Sequence, residues 1–201
     1  MKLLTIAIFL TLNVTFAQYA VNERSQFIIR QTNWFTCGPA ALATVLDQFA
    51  AIPSTEKEIV ELAIPFLTKK LNAKGDPEAG FSALSLKKAA EAKGMTIRGF
   101  RYDISQIAQY FDSGGFPLIA HVQKPQAHFV VLIAKVKNYF VIGDPSWGRK
   151  ILSIADFVNE KNFSGVVLLF FPNEIRQSEI KKNQLINIEW AKIKLAKLGI
   201  R

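Results

Sequence analysis

The chain contains a single cysteine, Cys37, in 201 residues, so no internal disulfide can form and the fold must be held by its core. Histidine is almost as scarce, with only His121 and His128. One thiol and two imidazoles at that spacing do not make a metal site, and no glycine-rich nucleotide-binding motif occurs, so no cofactor is expected. The basic residues are scattered singly or in pairs, with no Arg-rich run and no basic patch interleaved with aromatics, which argues against nucleic acid as a partner. No internal repeat and no low-complexity segment is found. Beyond the N-terminus no apolar run is long enough to span a bilayer.

What is present is a core. Half of the residues are hydrophobic and 20% are charged, a balance that excludes disorder and fits one globular domain with appendages. Lys and Arg outnumber Asp and Glu by 25 to 16, for a formal net charge of +9, which favours acidic partners without naming one. The N-terminus reads as a signal peptide over residues 1–17. Lys2 supplies a positive start, residues 3–12 an apolar centre, and Thr15-Phe16-Ala17 places small residues where a signal peptidase cuts. A retained membrane anchor is the alternative, but the apolar run falls short of the ~18 residues a spanning helix needs, and Asn13 interrupts it. No Cys follows the run, so no lipoprotein anchor is expected. The mature chain is therefore expected to be periplasmic or secreted, where an unpaired thiol is hard to keep unless it is used.

The pattern predicts helices first and strands later. Phe27-Ile28-Ile29 reads as a short strand and Gln31 to Thr36 as a loop. From Cys37 to Phe49 the apolar residues predict a buried helix with Pro39 in its first turn, where the missing N–H costs nothing. A second helix follows Ser54, which fits as its cap, and a third runs from about Ser82 to Lys93 and stops at Gly94. Residues 68–80 read as an exposed loop. Strands are predicted at Met95–Phe100, Pro117–Val122, Phe129–Ala134, Tyr139–Ile142 and Val166–Phe171, with a short helix near Ile104–Phe111. The order indicates an α+β architecture over residues 18–171, an N-terminal helical lobe packed on an antiparallel β-sheet. Residues 172–201 read as a basic amphipathic helix with Ile186, Trp190 and Ile193 on one face, packed on the domain or touching an acidic membrane surface or partner.

Cys37 opens a helix, where the dipole and unpaired backbone N–H groups stabilise a thiolate. Cysteine also commonly fills buried space, and the residues alone leave both readings open. Gly38, next to it, would let a substrate backbone approach. A nucleophilic Cys needs a base. His128 opens the strand Phe129–Ile133 and can project into a cleft; His121, at the end of the preceding strand, reads as a satisfied structural residue. An acceptor that orients the imidazole fits at Asp144, although Gly143-Asp144-Pro145 is also ordinary turn chemistry. Gln31, six residues before Cys37, would offer its amide beside the Cys37 N–H as an oxyanion donor, where losing one such group costs about 10²–10³ in rate. The order Cys, His, Asp on helix start, strand end and next strand end is that of papain-like hydrolases.

The runs Gln31-Thr32-Asn33-Trp34-Phe35-Thr36-Cys37-Gly38-Pro39-Ala40-Ala41-Leu42, His128-Phe129-Val130-Val131-Leu132 and Asp144-Pro145-Ser146-Trp147-Gly148-Arg149 together resemble the bacteriocin-processing, double-glycine leader cysteine peptidases, cysteine peptidase family 39. Ala79-Gly80-Phe81-Ser82 and the stretch from Phe157 to Leu169 are similar as well. The resemblance covers about residues 26–171 and implies a papain-like cysteine peptidase fold. It further implies peptide-bond hydrolysis with Cys37 as nucleophile, His128 as general base and then acid, Asp144 as its orienter and Gln31 in the oxyanion hole. Relatives often carry Asp where this chain has Thr36. The apparent export signal resembles the stand-alone members of functional-amyloid secretion systems. The expected function is thus an exported cysteine endopeptidase that cuts a co-secreted polypeptide or leader, after Gly-Gly if it follows its relatives. A silent peptide-binding accessory of a secretion system and a peptidoglycan peptide amidase are the alternatives.

Overall fold

The run from Cys37 to Leu46, apolar but for Thr44, leaves no side for solvent, and it folds as a helix buried over those residues, with only Asp47 and Gln48 beyond it partly exposed. In the computed structural model, which describes residues 23–67, 71–72, 77 and 80–200, helix α1 spans Cys37–Ala43 and widens into a π-helical stretch over Thr44–Phe49. Leu42, Val45, Leu46 and Phe49 have no exposed surface. The expected signal peptide and most of the expected loop at 68–80 lie outside the described residues. Helix α2 (Glu56–Ala63) is capped by Thr55, whose side chain accepts from the Glu58 N–H. Ser54, the expected cap, instead donates to the Ile52 carbonyl. Helix α3 (Ala83–Ala92) is capped by Ser82, and Gly94 beyond its end has φ +75°, the left-handed conformation that suits glycine after a helix.

The remaining elements are β1 (Ile97–Arg101), α4 (Ile104–Asp112), β2 (Leu118–Val122), β3 (His128–Val136), β4 (Tyr139–Asp144), β5 (Gly148–Ser153), α5 (Ile154–Asn159), β6 (Phe163–Phe170) and α6 (Glu174–Lys197). The strands form one six-stranded sheet in the order β1-β6-β2-β3-β4-β5, with every pair antiparallel. Two apolar clusters cover its faces. One joins α1, α2, α3 and α6 to Ile97, Val131, Ile133 and Leu168; the other joins Ile107 of α4 and Phe157 of α5 to Leu118, Leu132, Phe140 and Val167. The architecture is α+β, as the element order indicated.

Three readings are corrected. Phe27-Ile28-Ile29 is not a strand: Phe27 has φ +64°, and the Ile29 N–H donates to Thr44 Oγ1 at 3.0 Å, so its backbone is satisfied by a helix side chain. Strand β5 (Gly148–Ser153) and helix α5 (Ile154–Asn159) were not expected: β5 opens with Gly, Arg and Lys in place of β-branched residues, and α5 is a helix of six residues. In α6 the buried face is Ile180, Gln184, Asn187, Ala191 and Leu195, whereas Ile186 and Ile193 are 45% and 56% exposed. The reason is polar packing. Gln184 Nε2 donates to the carbonyls of Ile133 (2.7 Å) and Gly115 (3.0 Å), and Asn183 donates to the Phe49 carbonyl, so amides sit where the pattern would place isoleucines.

Arg149 is the bracket between α6 and the sheet. Its guanidinium donates to Asn187 Oδ1 at 2.8 Å and lies 3.9 Å from the centre of the Trp190 ring. Trp190 Nε1 and Lys194 bind Glu23. Burial pushes the Arg149 guanidinium down to about 10, and its Nε has no hydrogen-bond partner. Arg149→Ala is expected to leave Asn187 and Trp190 without their contacts over a cavity, costing about 2–4 kcal/mol. For a chain of this size that is a fall of about 5–15 °C in Tm, read by thermal unfolding; an unchanged Tm would mean that α6 is held without the bracket.

Candidate active site

The site forms where the start of α1 meets the ends of β3 and β4. The loop before Cys37 is tied down from three sides. The Thr32 N–H donates to Glu56 Oε1 at 2.8 Å, the Gln31 N–H to the Pro145 carbonyl at 3.1 Å, and Thr36 Oγ1 to the Asn33 carbonyl at 3.0 Å. The first helical bond runs from the Ala40 N–H to the Thr36 carbonyl. Pro39 has no N–H, so the open donors of this helix start are the N–H groups of Cys37 and Gly38. Gly38 does not face a cleft. A Cβ there would lie 3.0 Å from Leu86 and 3.2 Å from Phe129, so this glycine lets α1 pack on α3 and β3 and does not open a path for substrate.

Sheet register explains how the polar residues meet. Val131 pairs with Gly143, which puts His128 and Asp144 on one face in diagonal positions, within side-chain reach. His128 Nε2 lies 2.9 Å from Asp144 Oδ1, and both residues are buried. An ionised carboxylate only accepts, so Nε2 carries a proton and the other ring nitrogen is left for the Cys37 thiol, which is close enough to act on the ring. Burial alone would push the imidazole down. The Asp144 hydrogen bond and the Cys37 thiol outweigh it and raise His128 to about 9. Asp144 is held well below the usual carboxylate range: burial opposes its charge, but His128 and Lys150 more than compensate.

Lys150 was not singled out by the sequence reading. Asp144 pairs with Gly148 and Ile142 with Lys150 across β4 and β5, so Lys150 is diagonal to Asp144 on the flank opposite His128. Its Nζ is 2.7 Å from Asp144 Oδ2. The Ser146 N–H donates to Asp144 Oδ1 at 3.0 Å, which leaves both carboxylate oxygens engaged. The alternation after the turn, Gly148 and Lys150 on the Asp144 face, was the available signal. Glu56, which holds the loop before Cys37, carried no signal beyond its place in the first turn of α2.

Gln31 lies at the rim of this group. Its Nε2 donates to the Asn33 carbonyl at 2.7 Å, and its Oε1 accepts from Ser146 Oγ at 2.8 Å. It thereby links the loop before Cys37 to the turn after Asp144, a link reinforced by Arg30, which donates to the carbonyls of Pro145 and Ser146. Gly148 closes that turn at φ +88°, and a Cβ there would overlap the Arg24 carbonyl oxygen. His121 is separate from the group. Its Nδ1 lies 2.9 Å from Ser164 Oγ, its ring packs edge-on to Phe129, and burial and the nearby His128 push it below its ordinary value. Among the described residues no cluster of His, Cys, Asp and Glu suited to a metal ion is found.

The sequence pattern of the Peptidase C39 family matches residues 25–175. Over 145 residues the chain is 32% identical to the probable functional amyloid protease FapD of Pseudomonas aeruginosa, an alignment covering 70% of this chain and 58% of that protein. The chain thus spans little more than half the length of that relative. The peptidase domain of Streptococcus ComA, a bi-functional ABC transporter involved in a quorum-sensing pathway, superposes with a TM-score of 0.58 at 25% identity, covering 73% of this chain and 98% of that domain. A double glycine motif protease from an AMS/PCAT transporter, solved with a leader peptide, superposes with a TM-score of 0.55 at 26% identity, covering 75% of this chain and 96% of that one. Nearly all of α6 lies beyond the family match.

Proposed function

Because the chain belongs to the peptidase C39 family of papain-like cysteine peptidases, we propose that it is an exported endopeptidase that hydrolyses a co-secreted polypeptide with Cys37, His128, Asp144 and Gln31. The observation that carries this reading is the buried His128–Asp144 contact of 2.9 Å, with the Cys37 thiol at a helix start close enough to act on the same imidazole. Cys37 attacks the scissile carbonyl carbon as a thiolate, and the oxyanion that forms takes hydrogen bonds from the Cys37 N–H and the Gln31 amide, which turns away from the Asn33 carbonyl to reach it. His128, cationic in the ion pair, gives its proton to the leaving amine as the C–N bond breaks, leaving a thioester. Water then adds to the thioester carbonyl with His128 as base, and the acyl product leaves as the thiol is restored.

The relatives guide the substrate. FapD is named a probable functional amyloid protease, and the AMS/PCAT neighbour is a double glycine motif protease bound to a leader peptide. A secreted polypeptide cut after Gly-Gly is therefore the first substrate to try, and the Lys2-led apolar run over residues 1–17 supports export. The test is incubation of the purified chain with unfolded peptides that contain a Gly-Gly pair or the same sequence with Ala-Ala, with mass-spectrometric mapping of products. Cleavage at one bond after Gly-Gly is expected. No cleavage of any peptide, with Cys37 unreactive, would contradict the reading.

A further inference from the structure

A cavity of about 90 Å³ lies against His128 and Asp144, with Val122, Lys124, Gln126, Trp147 and Lys161 among its other walls and Cys37 not among them. Its cations are poorly balanced. Lys150, nearby, spends its charge on Asp144, and Asp144 already holds His128. No carboxylate lies within ion-pair distance of Lys124 or Lys161 among the described residues, and the ammonium of Lys150 is close enough to act on Lys161. Burial first and Lys150 second push Lys161 below its ordinary value, while Asp144 and Glu160 act on it only at longer range. A partly buried cation without a partner is costly to hold. Beside it Trp147 stands 68% exposed, an aromatic wall that nothing covers among the described residues.

From these residues we propose that the cavity is a specificity pocket for an acidic side chain of the polypeptide substrate, located within two residues on the C-terminal side of the cleaved bond. The inference rests on the role of His128 proposed above: the cavity is lined by His128 and not by Cys37, so it faces the part of the substrate that receives the proton and leaves as the amine. The volume suits one side chain. Its aliphatic stem lies against Trp147 and its carboxylate between Lys124 and Lys161, where charge-assisted hydrogen bonds replace the missing counter-ion. Lys150 stays with Asp144, so the pocket binds without drawing on the group that orients His128.

The test separates binding from chemistry. Matched peptides carrying Glu or Gln at the first or second position after the cut are titrated into the Cys37→Ala chain by calorimetry, at low and at raised salt. The same peptides are offered to the active chain as substrates. The Glu peptide is expected to bind about tenfold more tightly at low salt, with the preference shrinking as salt rises. Lys161→Met, introduced into either background, is expected to erase the preference by bringing the affinity for the Glu peptide down to that for the Gln peptide. Should that variant fail to fold, Lys124→Met is expected to halve the salt dependence. Equal affinity for the two peptides, or a Glu preference that survives Lys161→Met, would overturn the pocket. Selective binding of the Glu peptide without cleavage of either would overturn the peptidase reading and leave the pocket standing.

Discussion

Replacing Cys37 with alanine is expected to lower peptide-bond hydrolysis by about 10⁴-fold or more, since removing the nucleophile from a unit of this kind leaves only binding and the oxyanion donors. The fold should not notice. Cys37 is 8% exposed and its neighbours Ala40 and Ala41 are fully buried, so alanine fits the first turn of α1 and removes one sulfur at the edge of the core. Cys37→Ser is expected to be as inactive as Cys37→Ala. A serine hydroxyl is far less acidic than a thiol, and His128, which owes part of its raised value to Cys37, cannot hold it as an anion. Initial rates on a Gly-Gly peptide, alongside thermal unfolding of the three proteins, decide the matter. Retained activity in the alanine variant with an unchanged Tm would place the nucleophile elsewhere.

Asp144→Asn is expected to cost about 10³–10⁴ in kcat, because an amide cannot serve His128 and Lys150 as the carboxylate does and the imidazole loses its fixed tautomer. It also predicts a pH signature in stability. His128 has a folded value raised from 6.5 to about 9, so its contribution is complete below about pH 6.5 and is lost as pH climbs through 9. Asp144 is lowered from 3.8, so its contribution is present above about pH 4 and is lost on acidification. The Tm gap between the wild type and Asp144→Asn should therefore be widest between about pH 4 and 6.5 and narrow as pH passes 9, without closing, because Lys150 still pairs with Asp144. A gap that stays constant from pH 5 to 10 would mean that His128 and Asp144 are not an ion pair in the folded chain.

The parts of the fold that were legible in the sequence are those where one local rule decides. The buried helix after Cys37 needs only its unbroken apolar run and Pro39. The strands at Leu118–Val122, His128–Val136 and Tyr139–Asp144 need only β-branched residues between turns. The meeting of Cys37, His128 and Asp144 followed from their places at element ends, because strand ends on one face are neighbours. What was not legible depends on partners far away in sequence. Lys150 looks like any surface lysine until β5 is laid beside β4. The buried face of α6 runs through Gln184 and Asn187, whose burial is tolerable only because the carbonyls of Ile133 and Gly115 and the guanidinium of Arg149 wait for them. Gly38 looked like room for substrate, and only the packing of Leu86 and Phe129 reveals that its missing Cβ is filled space.

The central claim is that Cys37 and His128 form a thiolate–imidazolium pair. The direct measurement is the rate of Cys37 alkylation by iodoacetamide as a function of pH, for the wild type and for His128→Ala. The pair predicts fast alkylation of the wild type that persists into mildly acidic solution, where a free thiol of pKa about 8.5 hardly reacts. It predicts that His128→Ala loses this acidic reactivity and retains only an alkaline limb. Identical profiles for the two proteins, or a wild type that reacts only in alkaline solution, would contradict the account.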